Sequence, residues 1–286
     1  MSYFADRAMA YVLEIKCYSG NKLDKNVSEN IRFNNQASKR AGRYNKNLFP
    51  NSKLLKEAHK SSRFCRDKFN FYTMPWQGGG VRILPAKMFN KFCSEMNTVI
   101  NNFDRDARAF VNNLPQEMQD AQGTYSALGS LFDMDDYPSQ HDIVNLFGAE
   151  LKARPISTKD DFRVRLSDDV LEQIKIEYEE EFLANQVDAN KHLWGRLQSV
   201  VQAMKDRLSD PKAVFRDTLV GNVEELVGVM DDLNVFDDDA LTSFTNEIRD
   251  NLTQNSPQSL RDDANLRKTQ ADKAADILAK IQATGM

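Results

Sequence analysis

The 286-residue chain has 41% apolar and 28% charged residues, the proportions of an ordinary globular protein, which argues against a wholly disordered chain. No apolar run approaches the roughly 18 residues of a membrane span, and the first twenty residues lack the basic-then-apolar order of a secretory signal. Three widely spaced cysteines, Cys17, Cys65 and Cys93, form no CxxC pair, so neither a disulfide framework nor a zinc site is expected, in keeping with a reducing cytoplasm.

The net charge of −4 conceals an asymmetry. Residues 1–100 hold 18 Lys and Arg against 7 Asp and Glu, whereas the remainder holds 20 against 35. Such a split marks either a nucleic-acid face or two halves that attract each other.

In chain order, Tyr11–Cys17 alternates in polarity and predicts a strand, followed by a turn at Gly20-Asn21. A helix capped by Ser28 is expected over 29–44, and a second from Ser52, with Leu55, Ala58, Ser62, Cys65 and Phe69 on its inner face. Two prolines and three glycines in 74–85 predict an irregular loop. Met88, Phe92, Met96, Val99, Phe103, Ala107, Phe110 and Leu114 then trace an amphipathic helix, which Pro115 kinks or ends. After a loop at 129–141 and a short helix, alternating runs at 147–153 and 162–166 predict a hairpin that joins residues 11–17 in a small antiparallel sheet. Ser167-Asp168-Asp169 opens the longest helix, 168–208. Further helices are expected from 211, from the Asp237–Asp239 cap, and after Ser256-Pro257. The two long helices are expected to pack antiparallel on each other, their apolar stripes being core or, alternatively, seams between copies of an oligomer.

The best functional signal is basic. Lys53, Lys56, Lys60 and Arg63 share a helical face within a stretch, 39–82, that has Glu57 and Asp67 as its only acids. Tyr44, Phe49, Phe64, Phe69, Phe71, Tyr72 and Trp76 interleave with it. Clustered cations neutralise phosphates and exposed rings stack on single-stranded bases. The competing reading is a solvated basic face with its rings in the core. Trp76, Gly78, Gly79, Gly80 and Arg82 form a second candidate, a contact loop with accessible backbone amides. It lacks the ending of a phosphate-binding P-loop, and a tight turn anchored by Trp76 is the plainer reading. The acids at 133, 135 and 136 lack the Gly and Glu of a calcium loop, and Asp237–Asp239 reads as a helix cap. His59, His141 and His192 have no partner at ligand spacing. No catalytic motif, metal site or cofactor site is expected.

Several strings carry a resemblance: GNKLDKNVSE at 20–29, AGRYNKNLF at 41–49, MPWQGGGVRILP at 74–85, DYP at 136–138, DDFRVRLSDD at 160–169, LWGRLQSVV at 193–201, RLSDPKAVFRDTLVGNVEEL at 207–226 and LRDDANLRKTQADKAADILAKI at 260–281. In order and spacing they resemble a broad family of tailed-bacteriophage and prophage proteins, over nearly the whole chain. Cys17-Tyr18 stands where many members have a Trp. The resemblance implies a phage protein acting in the host cell cytoplasm. Members often lie near genes for MoxR-type AAA ATPases, von Willebrand A-type proteins or replication proteins, which implies an accessory role, and the family supplies no catalytic residues.

The expected fold is mainly α, long packed helices with a small antiparallel sheet. It divides into a basic region, 1–145, and a hairpin with an acidic helical region, 146–286. The expected function is a non-enzymatic accessory that binds a phage or host protein, with an AAA ATPase-centred assembly as partner. The alternatives are a factor binding DNA or single-stranded nucleic acid in phage replication or recombination, a virion structural protein, or an enzyme with a site composed from distant residues.

Overall fold

A computed structural model describes Phe4 and residues 6–126, 132–157 and 167–284. Most of these residues are helical, with a small four-stranded sheet and a two-stranded one, which bears out the expected mainly α fold with a small antiparallel sheet. No described helix is long and apolar enough to cross a membrane.

The chain forms two compact units that are not consecutive halves. One unit comprises 1–12, 70–92 and 153–286, and the other 13–69 and 93–152. They are termed the outer-segment unit and the inner-segment unit by their place in the sequence. The change of sequence character near 145 thus does not coincide with a single boundary.

The inner-segment unit begins in β1 (Ala8–Lys16), the predicted strand. β2 (Asn21–Leu23) and β3 (Asn45–Asn47) pair antiparallel, Asn21 opposite Asn47. Between them sits α1 (Lys25–Asn34), which differs from the predicted helix. Asp24, not Ser28, caps it, accepting from the Val27 amide at 2.9 Å. The Ser28 hydroxyl instead accepts the amide of Tyr44 at 2.9 Å, which holds the return loop and shortens the helix. α2 (Lys53–Tyr72) begins as predicted, with Ser52 Oγ accepting from the Leu55 amide at 3.0 Å. The predicted stripe is buried throughout, from Met88 just ahead of α3 (Phe89–Asn112) to Leu114 just beyond it. Pro115 falls in the first turn of α4 (Leu114–Ser126), where its missing N–H costs nothing. The core gathers Leu48, Phe49, Leu55, Phe110, Tyr137 and Ile143. Phe49 meets Phe110 and Tyr137 edge-on, at 5.1 and 5.3 Å, a preferred geometry for aromatic rings. α5 (Gln140–Val144), capped by Ser139, leads into β6 (Gly148–Arg154). β6 is the first strand of the expected hairpin and neighbours β1. The second, at 162–166, lies outside the described residues.

In the outer-segment unit, residues 74–85 correct an expectation. They form a hairpin of β4 (Met74–Pro75) and β5 (Arg82–Pro85), Met74 opposite Ile83. The glycines supply the turn and leave the flanking residues free to pair. Pro75 is tolerated because β4 is an edge strand in the order β4-β5-β1-β6. β5 pairs with β1 from Ala8 opposite Pro85 to Tyr11 opposite Arg82. α6 (Asp168–Ser209) is the longest helix. It packs on α10 (Ala264–Ala283), α7 (Thr218–Leu233) and β4. Leu193, Leu197, Val201 and Met204 of α6 are fully buried, and α10 offers the small Ala271 and Ala274 beside Ile277 and Ile281, which permits close approach. The acid-rich first half of α6 leaves Ile176, Leu183 and Val187 exposed. α7 starts later than predicted. Val214 is exposed, and Phe215 is buried beneath the guanidinium groups of Arg261 and Arg267, each 5.2 Å from its ring. Asp238 caps α8 (Asp239–Leu252) as predicted. Ser256 caps α9 (Pro257–Asp262) and Asp263 caps α10, so the single final helix expected after Ser256-Pro257 is divided in two.

Candidate functional site

The helical period of α2 separates its two faces. Leu55, Ala58, Ser62, Cys65 and Phe69 are buried, whereas Lys53, Lys56, Lys60 and Arg63 face solvent. The basic face is not purely basic. Glu57 holds Lys60 at 3.3 Å, and Asp67 is exposed on the same side. With α3 this face walls an open groove of about 410 Å³, lined by Glu57, Lys60, Arg63, Phe64, Arg105 and Asp106 among others. The Phe64 side chain is 49% exposed there, with the Lys68 ammonium 5.9 Å from its ring centre. Arg105 reaches Asp106 at 2.9 Å, and the Ser61 hydroxyl donates to the same carboxylate.

The charge asymmetry of the sequence largely folds inward. The inner-segment unit spans 17 Lys and Arg and 15 Asp and Glu, a net of +2, and the outer-segment unit spans 21 and 27, a net of −6. Lys46, buried, pairs with Asp136, and Lys22 reaches that carboxylate at 3.0 Å. Lys68 lies 3.9 Å from Glu95.

Most of the interleaved rings are core. Phe49, Phe69, Tyr72 and Trp76 are buried and Phe71 is half-buried, leaving Tyr44 and Phe64 at the surface. One exposed ring that sequence reasoning missed is Phe33, 86% exposed at the end of α1. Its signal was its position: Val27 and Ile31 keep the helical period and Phe33 falls off it.

The Gly-rich candidate divides. Trp76 is 2% exposed and stacks on Phe4 at 5.2 Å, with Phe182 edge-on at 5.2 Å. Gln77, Gly78, Gly79 and Gly80 all have positive φ, between 53° and 80°, and the turn closes through the Trp76 amide on the Val81 carbonyl at 3.0 Å. The glycines are exposed. Arg82 turns inward, donating to Thr73 Oγ1 at 2.7 Å and to the Thr73 carbonyl at 2.8 Å. It thereby satisfies carbonyls at the end of α2. Burial lowers its pKa to about 10.

Facing this hairpin, α6 presents Asn185, whose Oδ1 accepts the Gln77 amide at 3.1 Å. His192 and Arg196 follow at helical spacing. The Arg196 guanidinium lies 5.2 Å over Phe71, and its Nη1 is buried without a protein partner, as are His192 Nδ1, Asn185 Nδ2 and Trp76 Nε1. Burial, aided by the charges of Arg82 and Arg196, pushes the His192 imidazole down to about 4. Its sequence gave no cue, because the convergence depends on β4 docking against α6.

The remaining candidates are used structurally. Asp133 accepts the Asp135 amide at 3.0 Å, and Asp238 both caps α8 and accepts Trp194 Nε1 at 3.1 Å. Asp237 binds Arg7 through both oxygens. No group of three His, Cys, Asp or Glu able to hold a metal occurs among the described residues. His59 contacts the Tyr18 carbonyl at 2.7 Å, and His141 is exposed. The buried Cys65 thiol donates to the Val99 carbonyl at 3.3 Å, and burial pushes its pKa up to about 11, far from a reactive thiolate.

Comparison with known protein families, with curated proteins and with solved structures gives no match.

Proposed function

We propose that this protein works by holding a protein partner, as a non-enzymatic accessory of a larger assembly. The observation that supports this reading is the α2–α3 groove. The half-exposed Phe64 ring lines it together with Lys60, Arg63 and Arg105 and with Glu57, Asp67 and Asp106. Protein interfaces are anchored by aromatic side chains within a polar rim. A phosphate backbone in the same groove would meet three carboxylates. The resemblance to tailed-phage proteins encoded near AAA ATPases makes an ATPase-centred assembly in the host cytoplasm the first partner to try.

The test is purification of the tagged protein from phage-infected bacteria, with nuclease added. A protein partner that survives nuclease and is lost from the Phe64→Glu variant is the expected result. Partners that disappear with nuclease, or that bind the variant as well as the wild type, would refute the reading.

A further inference from the structure

Residues 30–56 contain no acid at all. Within this stretch, Lys39, Arg40, Arg43, Lys53 and Lys56 are exposed, and among the described residues none of them pairs with a carboxylate. The neighbouring cations behave differently. Arg32 lies 3.3 Å from Glu29, Lys46 is buried on Asp136, and Lys60 is on Glu57. The fold therefore neutralises Arg32, Lys46 and Lys60 and leaves these five without an internal counter-charge among the described residues.

The same stretch exposes apolar surface. The only side chain buried by α1 is Ser28. Phe33 is 86% exposed, Ile31 47% and Tyr44 36%. The return loop folds back on the helix: the Ala37 amide donates to the Arg32 carbonyl at 3.0 Å, and Tyr44 is held at both ends, its amide on Ser28 Oγ and its carbonyl on the Asp24 amide at 3.0 Å. Phe33 stands five residues beyond Ser28, about 7.5 Å along the helix axis at 1.5 Å per residue. It lies about 140° around the helix from Ser28 at 100° per residue, and Lys39, Arg40 and Arg43 are on the loop that connects Phe33 to Tyr44.

We infer that α1 and its return loop form a binding site for single-stranded nucleic acid, with Phe33 and Tyr44 as stacking platforms and Lys39, Arg40 and Arg43 on the phosphates. Unpaired cations attract a polyanion. Exposed rings favour a polymer whose bases present free π-faces, which a duplex keeps stacked. A membrane surface fits less well. Ile31 and Phe33 are two residues apart and therefore about 200° apart around the helix, so they do not form one apolar face to lie on lipid. This site is separate from the Phe64 groove and does not depend on that reading.

Fluorescence anisotropy of the full chain with a labelled oligothymidylate of about 20 nucleotides, at about 50 mM salt, tests the site. Wild type is expected to bind, with affinity falling as salt rises. Phe33→Ala is expected to weaken binding about tenfold or more. The triple reversal Lys39→Glu, Arg40→Glu, Arg43→Glu is expected to abolish it, while thermal melts of both variants match wild type. The inference is overturned if wild type does not bind, if both variants bind like wild type, or if a duplex of the same length binds equally well. It is also overturned if the three cations respond to anionic phosphatidylserine vesicles and not to the oligonucleotide. Each of these outcomes leaves the effect of Phe64→Glu on a protein partner unaltered.

Discussion

Lys46, only 3% exposed, places its ammonium on the carboxylate of Asp136, which Lys22 also reaches at 3.0 Å. The pair ties β3 to the segment ahead of α5, joining the basic first third of the sequence to the acidic stretch that follows. Burial opposes ionisation of Asp136, but the hydrogen bonds and charges of Lys46 and Lys22 outweigh it and hold the carboxyl below its ordinary range. Its contribution is thus complete above the ordinary carboxylate pKa and disappears as pH falls through the lowered one. Asp136→Asn takes the carboxylate away from a buried ammonium, which costs about 3 kcal/mol or more. A urea titration at neutral pH is expected to show that loss, and the double variant Lys46→Met, Asp136→Leu to recover much of it. Equal stability of Asp136→Asn and wild type would contradict the role given to the pair.

His192 has the same pH sign for a different reason: its site favours the neutral ring rather than a charged group. Its folded pKa is about 4, below the ordinary value of 6.5. The unfolded chain therefore takes up the proton first, and stability falls as pH drops from about 6.5 towards 4. The ring is partly solvated, so the loss is on the order of 1 kcal/mol. Melting curves of wild type and His192→Gln across that window are expected to converge at low pH. Parallel curves would show that His192 does not titrate in this manner.

Two aromatic residues separate packing from binding. Trp76→Ala removes a ring enclosed by Phe4, Phe182 and Phe236 and is expected to cost about 3–5 kcal/mol. Phe64→Ala removes a ring at the rim of a groove and is expected to cost less than about 1 kcal/mol. Denaturation of both variants distinguishes them, and a large loss in Phe64→Ala would make that ring a core residue rather than a contact.

Glycines with similar backbone angles differ in surroundings. A Cβ on Gly20, at φ +72°, would lie 2.7 Å from Leu55 Cδ2, whereas one on Gly79, at φ +59°, meets nothing within 4 Å. Gly79→Ala is expected to cost about 1 kcal/mol of backbone strain. Gly20→Ala adds the displacement of a core leucine and is expected to cost more. Comparable melting temperatures for the two variants would contradict the difference.

The sequence made the helices legible wherever one face is buried over several turns. The Met88–Leu114 stripe, the inner face of α2 and the span of α6 follow from period alone, helices begin at Ser52 and Ser256 as expected, and Asp238 caps within the expected Asp237–Asp239 run. Local chemistry misled where two caps competed, as at Asp24 and Ser28, and where glycines marked the turn of a hairpin rather than a loop. Partnership was less legible than periodicity. Nothing in the apolar spacing of α6 says that small residues of α10 will receive it. The candidate surfaces were half legible: cation positions were visible, but whether a cation meets a carboxylate depends on residues such as Asp136 and Glu95 that arrive from later in the chain. Phe33 carries little signal of its own, because one aromatic off the period of a short helix does not show whether a later segment will cover it.

The interleaving of the two units has a consequence for fragments and for synthesis. The polypeptide passes between them at 12/13, 69/70, 92/93 and 152/153, so no single cut yields both as independent pieces, and a break near 145 leaves each truncated. On the ribosome, the inner-segment unit has all its parts once residue 152 emerges. Residues 70–92, with the strands at 74–75 and 82–85, must wait for helices that begin only at residue 168. Such long sequence separations slow folding and lengthen exposure to aggregation, which makes a chaperone-rich expression host the practical choice for obtaining the intact chain.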